Sequence, residues 1–150
     1  MKKFRFPLQP VGVLRAHQEL RARETFAAAV HHYVQTEERL AALRKRVAEL
    51  AEVLFHGRSD RFLAADAAAL LRVFRSESNA VIVTEREVIE AQDAMNARRK
   101  DYIEANRRLK IVHRLEERAR DKHRLETQRS DQNELDDLAG FRAFRQPVLS

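Results

Sequence analysis

Residues 22–54 read ARETFAAAVHHYVQTEERLAALRKRVAELAEVL. Small or apolar side chains recur at Ala22, Phe26, Ala29, Tyr33, Thr36, Leu40, Leu43, Val47, Leu50 and Leu54, in alternating steps of four and three. A mean step of about 3.5 keeps one narrow stripe on the same side of a long helix, the pattern of a coiled-coil seam. Val30 and Val34 widen the stripe without adding a second apolar face. A helix of this kind cannot bury its stripe alone, so the pattern predicts a partner helix.

Outward from this stretch, the helix is expected to span 11–55, after an extended segment closed by Pro10. His56-Gly57-Arg58-Ser59-Asp60 supplies its stop, with Gly57 suited to a left-handed cap and Ser59 or Asp60 to the next start. A tip at 56–80 is expected to hold a short helix at 61–74, with a weak break at Ser76-Glu77-Ser78-Asn79. The last helix, 81–138, shows a second seam at Val81, Val88, Met95, Tyr102 and Leu109. Ala91, Ala105, Val112 and Ala119 take its companion positions, with Arg98 as an interruption. Beyond Leu109 the apolar residues drift to Leu115, Leu125, Leu135 and Leu138, so a looser seam is expected there. Gly140 is expected to end the helix, leaving 141–150 as a flexible tail. The reading is all-α: a single coiled-coil domain over 1–150, built as a long antiparallel two-helix hairpin with a short helical tip. A dimer of extended chains is the alternative.

Composition agrees with long helices. Charged residues are 35% of the 150, and only three Gly and three Pro punctuate the chain. Without cysteine there is neither a disulfide nor a Cys-based metal site, which fits a cytoplasmic protein. The start, Met1-Lys2-Lys3-Phe4-Arg5-Phe6-Pro7, lacks the apolar region of a signal peptide. Formal charge is +6, and the excess is local: twelve Lys and Arg against six acids between Arg98 and Arg129, followed by Asp131, Glu134, Asp136 and Asp137. Such a segment points to an acidic partner surface, protein or nucleic acid.

No catalytic constellation emerges. Gly57 is the only glycine between Val13 and Ala139, so no glycine-rich loop exists to cradle phosphates. His113 and Glu117, at i and i+4, could share a metal but have no third ligand at matching spacing. A two-helix rod offers no concave pocket to shift acid–base groups. No enzymatic activity, cofactor, metal or small-molecule substrate is expected. Lys110, Arg114, Arg118 and Lys122 form a basic stripe at four-residue spacing, read either as a solvated face or as a docking strip for an acidic surface. Nucleic acid fits it less well, because aromatic platforms are not interleaved with it. Phe62, Leu63, Leu70, Leu71, Phe74, Val81, Ile82 and Val83 gather large apolar groups at the tip, as a local cap or a contact site.

The ends carry a family resemblance. Phe4-Arg5-Phe6-Pro7-Leu8, followed by Val13-Leu14-Arg15 and Glu19-Leu20-Arg21, resembles the opening of the FliJ family of flagellar type III export proteins. Glu37-Glu38-Arg39-Leu40 through Leu54 is similar to that family's mid-helix region. Gln132 through Ala139 looks like its terminal segment, with Asp137 where Glu is usual. The resemblance implies an antiparallel coiled-coil stalk like the γ subunit of rotary F-type ATPases. It also implies binding to the hexameric export ATPase (FliI-like) and to the export gate (FlhA-like), escort of export chaperones, and a place in the cytoplasm against the inner-membrane export apparatus. By that analogy Phe4, Phe6, Leu8, Leu14, Leu135, Asp136, Asp137 and Leu138 would face the ATPase. Arg39, Leu43, Arg46 and Leu50 fall at the mid-helix gate positions, though Arg46 and Leu50 replace aromatics of relatives. Leu70 and Phe74 join them on the chemistry of the tip. The rival readings are an injectisome stalk and a basic coiled-coil scaffold that binds nucleic acid.

Overall fold

The structure is a computed structural model that describes residues 3–57 and 63–145. It is an all-α helical hairpin of two helices, α1 (Gln9–Gly57) and α2 (Ala64–Arg145), packed against each other. The chain divides into two compact units, residues 20–104 and residues 1–19 with 105–150.

In the unit spanning 20–104, all ten stripe positions from Ala22 to Leu54 are buried or half-buried, with Thr36 and Leu40 innermost. The facing stripe on α2 runs through Leu70, Phe74, Val81, Thr84, Val88, Ala91, Met95 and Tyr102, in steps of three, four or a full heptad. Arg98 is exposed, as its interruption of the pattern implies. The pairing is antiparallel: Phe26 stacks on Tyr102 (centroids 6.0 Å apart, 9° between planes), while Arg46 further along α1 meets Glu77 further back on α2. No large side chain is fully buried among the described residues, because a two-helix seam always leaves one side open to water. Val34 is exposed, so only Val30 widens the stripe.

Helix boundaries differ from the sequence reading in four places. Helix α2 is continuous through 75–80, with no break at Ser76–Asn79 and no separate short helix. Weak helix formers hold there because α1 packs alongside, half-burying Glu77, Ser78 and Ala80. Helix α1 starts at Gln9 rather than 11: Pro10 sits in its first turn, where a missing N–H costs nothing. Gly57 is helical and no described glycine has positive φ, so the left-handed cap is not formed. Gly140 lies inside α2, which runs on to Arg145. The caps at Ser59 or Asp60, the start at Arg61, and Phe62 fall outside the described residues.

In the unit formed by 1–19 and 105–150, the chain enters α1 through a turn at Pro7-Leu8, where the Gln9 N–H donates to the Phe6 carbonyl at 3.2 Å. The seam keeps its 3.5 period through polar residues: Gly12, Arg15 and Glu19 on α1, and Val112, Glu116, Ala119 and His123 on α2, are buried or half-buried. The helices approach closely at Gly12, whose added Cβ would stand 3.4 Å from Val112 Cγ1. The expected drift to Leu115, Leu125, Leu135 and Leu138 does not occur, and all four are exposed. The reason is phase: a coiled coil changes stripe only where an insertion resets its register. From Gln128 to Arg145 every residue of α2 is exposed.

Candidate interaction surfaces

The N-terminal segment is fastened before α1 begins. Phe6 is only 7% exposed. The Phe4 ring meets His123 edge-on, with centroids 5.5 Å apart, and the Arg120 guanidinium lies 5.5 Å from the ring centroid. Arg120 is aimed by Glu116, whose Oε1 accepts from its Nε at 3.2 Å and from Nη2 at 2.7 Å. Phe4 and Phe6 thus anchor the segment to α2, while Leu8 and Leu14 stay exposed beside it. Leu135, Asp136, Asp137 and Leu138 are exposed on the part of α2 where no residue is covered. Phe141 and Phe144 project from α2, Phe144 being 96% exposed.

Around the seam of residues 20–104, the six mid-helix and tip candidates take part in holding the hairpin together. Leu43, Leu50, Leu70 and Phe74 are half-buried in the seam. Arg39 pairs with Glu87, and Arg46 with Glu77 at 3.6 Å. Arg44 adds a third such pair, to Glu85 at 2.9 Å. Toward the turn end, Ala51, Leu54, Phe55, Ala67, Leu71 and Phe74 line an apolar cleft of about 420 Å³. Phe55 is a large exposed member of that cleft which the sequence reading passed over. Its signal was available: it stands one residue off the four-three stripe and two before Gly57.

The basic stripe is placed as its spacing implies. Lys110, Arg114, Arg118 and Lys122 are all exposed on α2. Lys122 reaches Glu126 at 3.8 Å within its own helix. His113 and Glu117 are exposed, and among the described residues no group of three or more His, Cys, Asp or Glu is placed to hold a metal. Among titrating groups, Tyr33 is pushed above the ordinary phenol value, first by the hydrogen bond its hydroxyl donates to Glu37 Oε1 at 2.6 Å. No described helix is long and apolar enough to cross a membrane.

Comparison with known proteins finds one family whose model, described as Flagellar FliJ protein, matches residues 4–147. No curated protein and no solved structure matches the chain.

Proposed function

Because the chain belongs to the FliJ family, whose members are non-catalytic components of flagellar type III export, we propose that it is the stalk of that apparatus, binding and stimulating the hexameric export ATPase and coupling it to the export gate. The match across residues 4–147 carries this reading, and an antiparallel two-helix hairpin supports it, since a slender helical pair can be held in a ring.

The exposed Leu8, Leu14, Leu135, Asp136, Asp137 and Leu138 would meet the ATPase, with Phe4 and Phe6 holding the N-terminal segment in position. Gate contact is better sought at Phe55 and Leu71 in the turn-end cleft than at Leu43 and Leu50, whose side chains the seam occupies. Arg39 and Arg46 would reach the gate only by leaving Glu87 and Glu77. The protein would work in the cytoplasm beside the inner-membrane apparatus and would also escort export chaperones.

The test is ATP turnover by the cognate export ATPase as the purified chain is added. Turnover should rise and the chain should co-elute with the hexamer, and Leu14→Asp with Leu135→Asp should lose both effects. Flat turnover at every ratio would overturn the proposal.

A further inference from the structure

Helix α2 carries a second continuous face that the hairpin leaves unused. At 3.5 residues per turn, Ile111, Arg118 and Leu125 fall on one line, with Arg114 on one flank and Leu115 and Lys122 on the other. Arg107 and Arg129 extend the face at its two ends. It stands about a third of a turn away from the seam positions Val112, Glu116 and Ala119. The N-terminal segment leaves it open as well, because that segment's partners Glu116, Arg120 and His123 lie on the far side of the helix.

Two properties of this face belong together. Among residues 20–104, Arg39, Arg44 and Arg46 of α1 are each matched to an acid on α2. On this face Arg107, Arg114, Arg118 and Arg129 have no acid within ion-pair distance among the described residues. Asp121, which shares the face, is drawn to Arg124 at 3.5 Å. Between the cations, Ile111, Leu115 and Leu125 are 49%, 41% and 51% exposed. The face therefore asks for anions and for an apolar medium within one plane.

Nucleic acid would answer the cations but leave the aliphatic groups in water, and the face has no aromatic on which a base could stack. The interface of an anionic bilayer answers both: headgroup phosphates meet the guanidinium groups while isoleucine and leucine enter the acyl boundary. The long cationic side chains bend outward to the headgroup level as this happens. We infer that this face of α2 docks on an anionic phospholipid surface, through Arg107, Arg114, Arg118 and Arg129 with Ile111 and Leu125 inserted. The inference stands on these residues alone and does not depend on the export assignment.

The experiment is co-sedimentation of the full chain with vesicles of phosphatidylcholine alone, or with about one third phosphatidylglycerol. The chain should bind only the anionic vesicles, with binding falling about tenfold or more between low and high salt. Arg114→Glu with Arg118→Glu should weaken partitioning about a hundredfold. Ile111→Ser with Leu125→Ser should weaken it about tenfold while leaving retention on single-stranded RNA unchanged. Circular dichroism confirms that each variant keeps its helices. Equal binding to neutral vesicles, no binding to anionic ones, or indifference to the Ser pair overturns the inference. RNA binding without vesicle binding does the same and assigns the face to nucleic acid.

Discussion

Arg46 of α1 and Glu77 of α2 meet across the hairpin, Nη1 to Oε1, at 3.6 Å. The contact lies on the stretch of α2 that its own sequence would break. It joins the pairs of Arg39 with Glu87 and Arg44 with Glu85 along the same length of helix. Both partners in each pair keep contact with water, so each stabilises modestly, and together they favour one register over its neighbours.

A double-mutant cycle on Arg46→Ala and Glu77→Ala should give a coupling of about 0.3–1 kcal/mol in urea unfolding. The coupling should shrink as salt is raised. A coupling of zero at low salt would mean that the pair does not set register.

Leu40 is buried in the seam at 7% exposure, while Leu135 projects into solvent. Leu40→Ala should cost about 2–3 kcal/mol, through lost transfer energy and the gap left behind. Leu135→Ala should stay within about 0.5 kcal/mol. Paired urea titrations of the two variants measure the contrast directly.

A methyl group added at Gly12 would stand 3.4 Å from Val112 Cγ1. Gly12→Ala should stabilise by about 0.5–1 kcal/mol, since the helical backbone gains and Val112 has only to accept a close contact. Gly12→Leu should destabilise by about 1–3 kcal/mol by forcing the two helices apart. Thermal melts of both variants decide between these signs.

The raised phenol of Tyr33 comes from the hydrogen bond it donates to Glu37, helped by partial burial and by the carboxylate charge. A raised folded value favours the protonated form. The stabilisation is therefore present below the ordinary phenol value and is lost as pH climbs through the folded one. In a Tyr102→Phe background, absorbance titration should show Tyr33 ionising above ordinary tyrosine. Glu37→Gln should bring its midpoint back down.

The seam from Ala22 to Leu54 was legible because every position is small or apolar at strict spacing, and its phase carries straight into the structure. The same phase runs on through Arg15, Glu19, Glu116 and His123, where polarity hides it. A reading that follows apolar residues turns instead toward Leu115 and Leu125, which the structure leaves in solvent. Ser76 to Asn79 misled for a related reason: local propensity is weak there, and the half-buried contacts that override it come from residues some thirty positions away. Of the candidate sites, the exposed basic stripe follows from helical spacing alone. That Arg39 and Arg46 are tied to Glu87 and Glu77 depends on how the two helices face each other, which spacing within one helix does not encode.

The last stretch of α2, from Gln128 to Arg145, has every residue exposed. An uncovered helix of that length is marginal in water, because little beyond its own backbone bonds opposes fraying. Its amides should exchange with solvent orders of magnitude faster than those near Leu40 and Ala91. This makes the segment a built-in gauge: whatever binds there registers first as slowed exchange, before any change in the remainder of the chain.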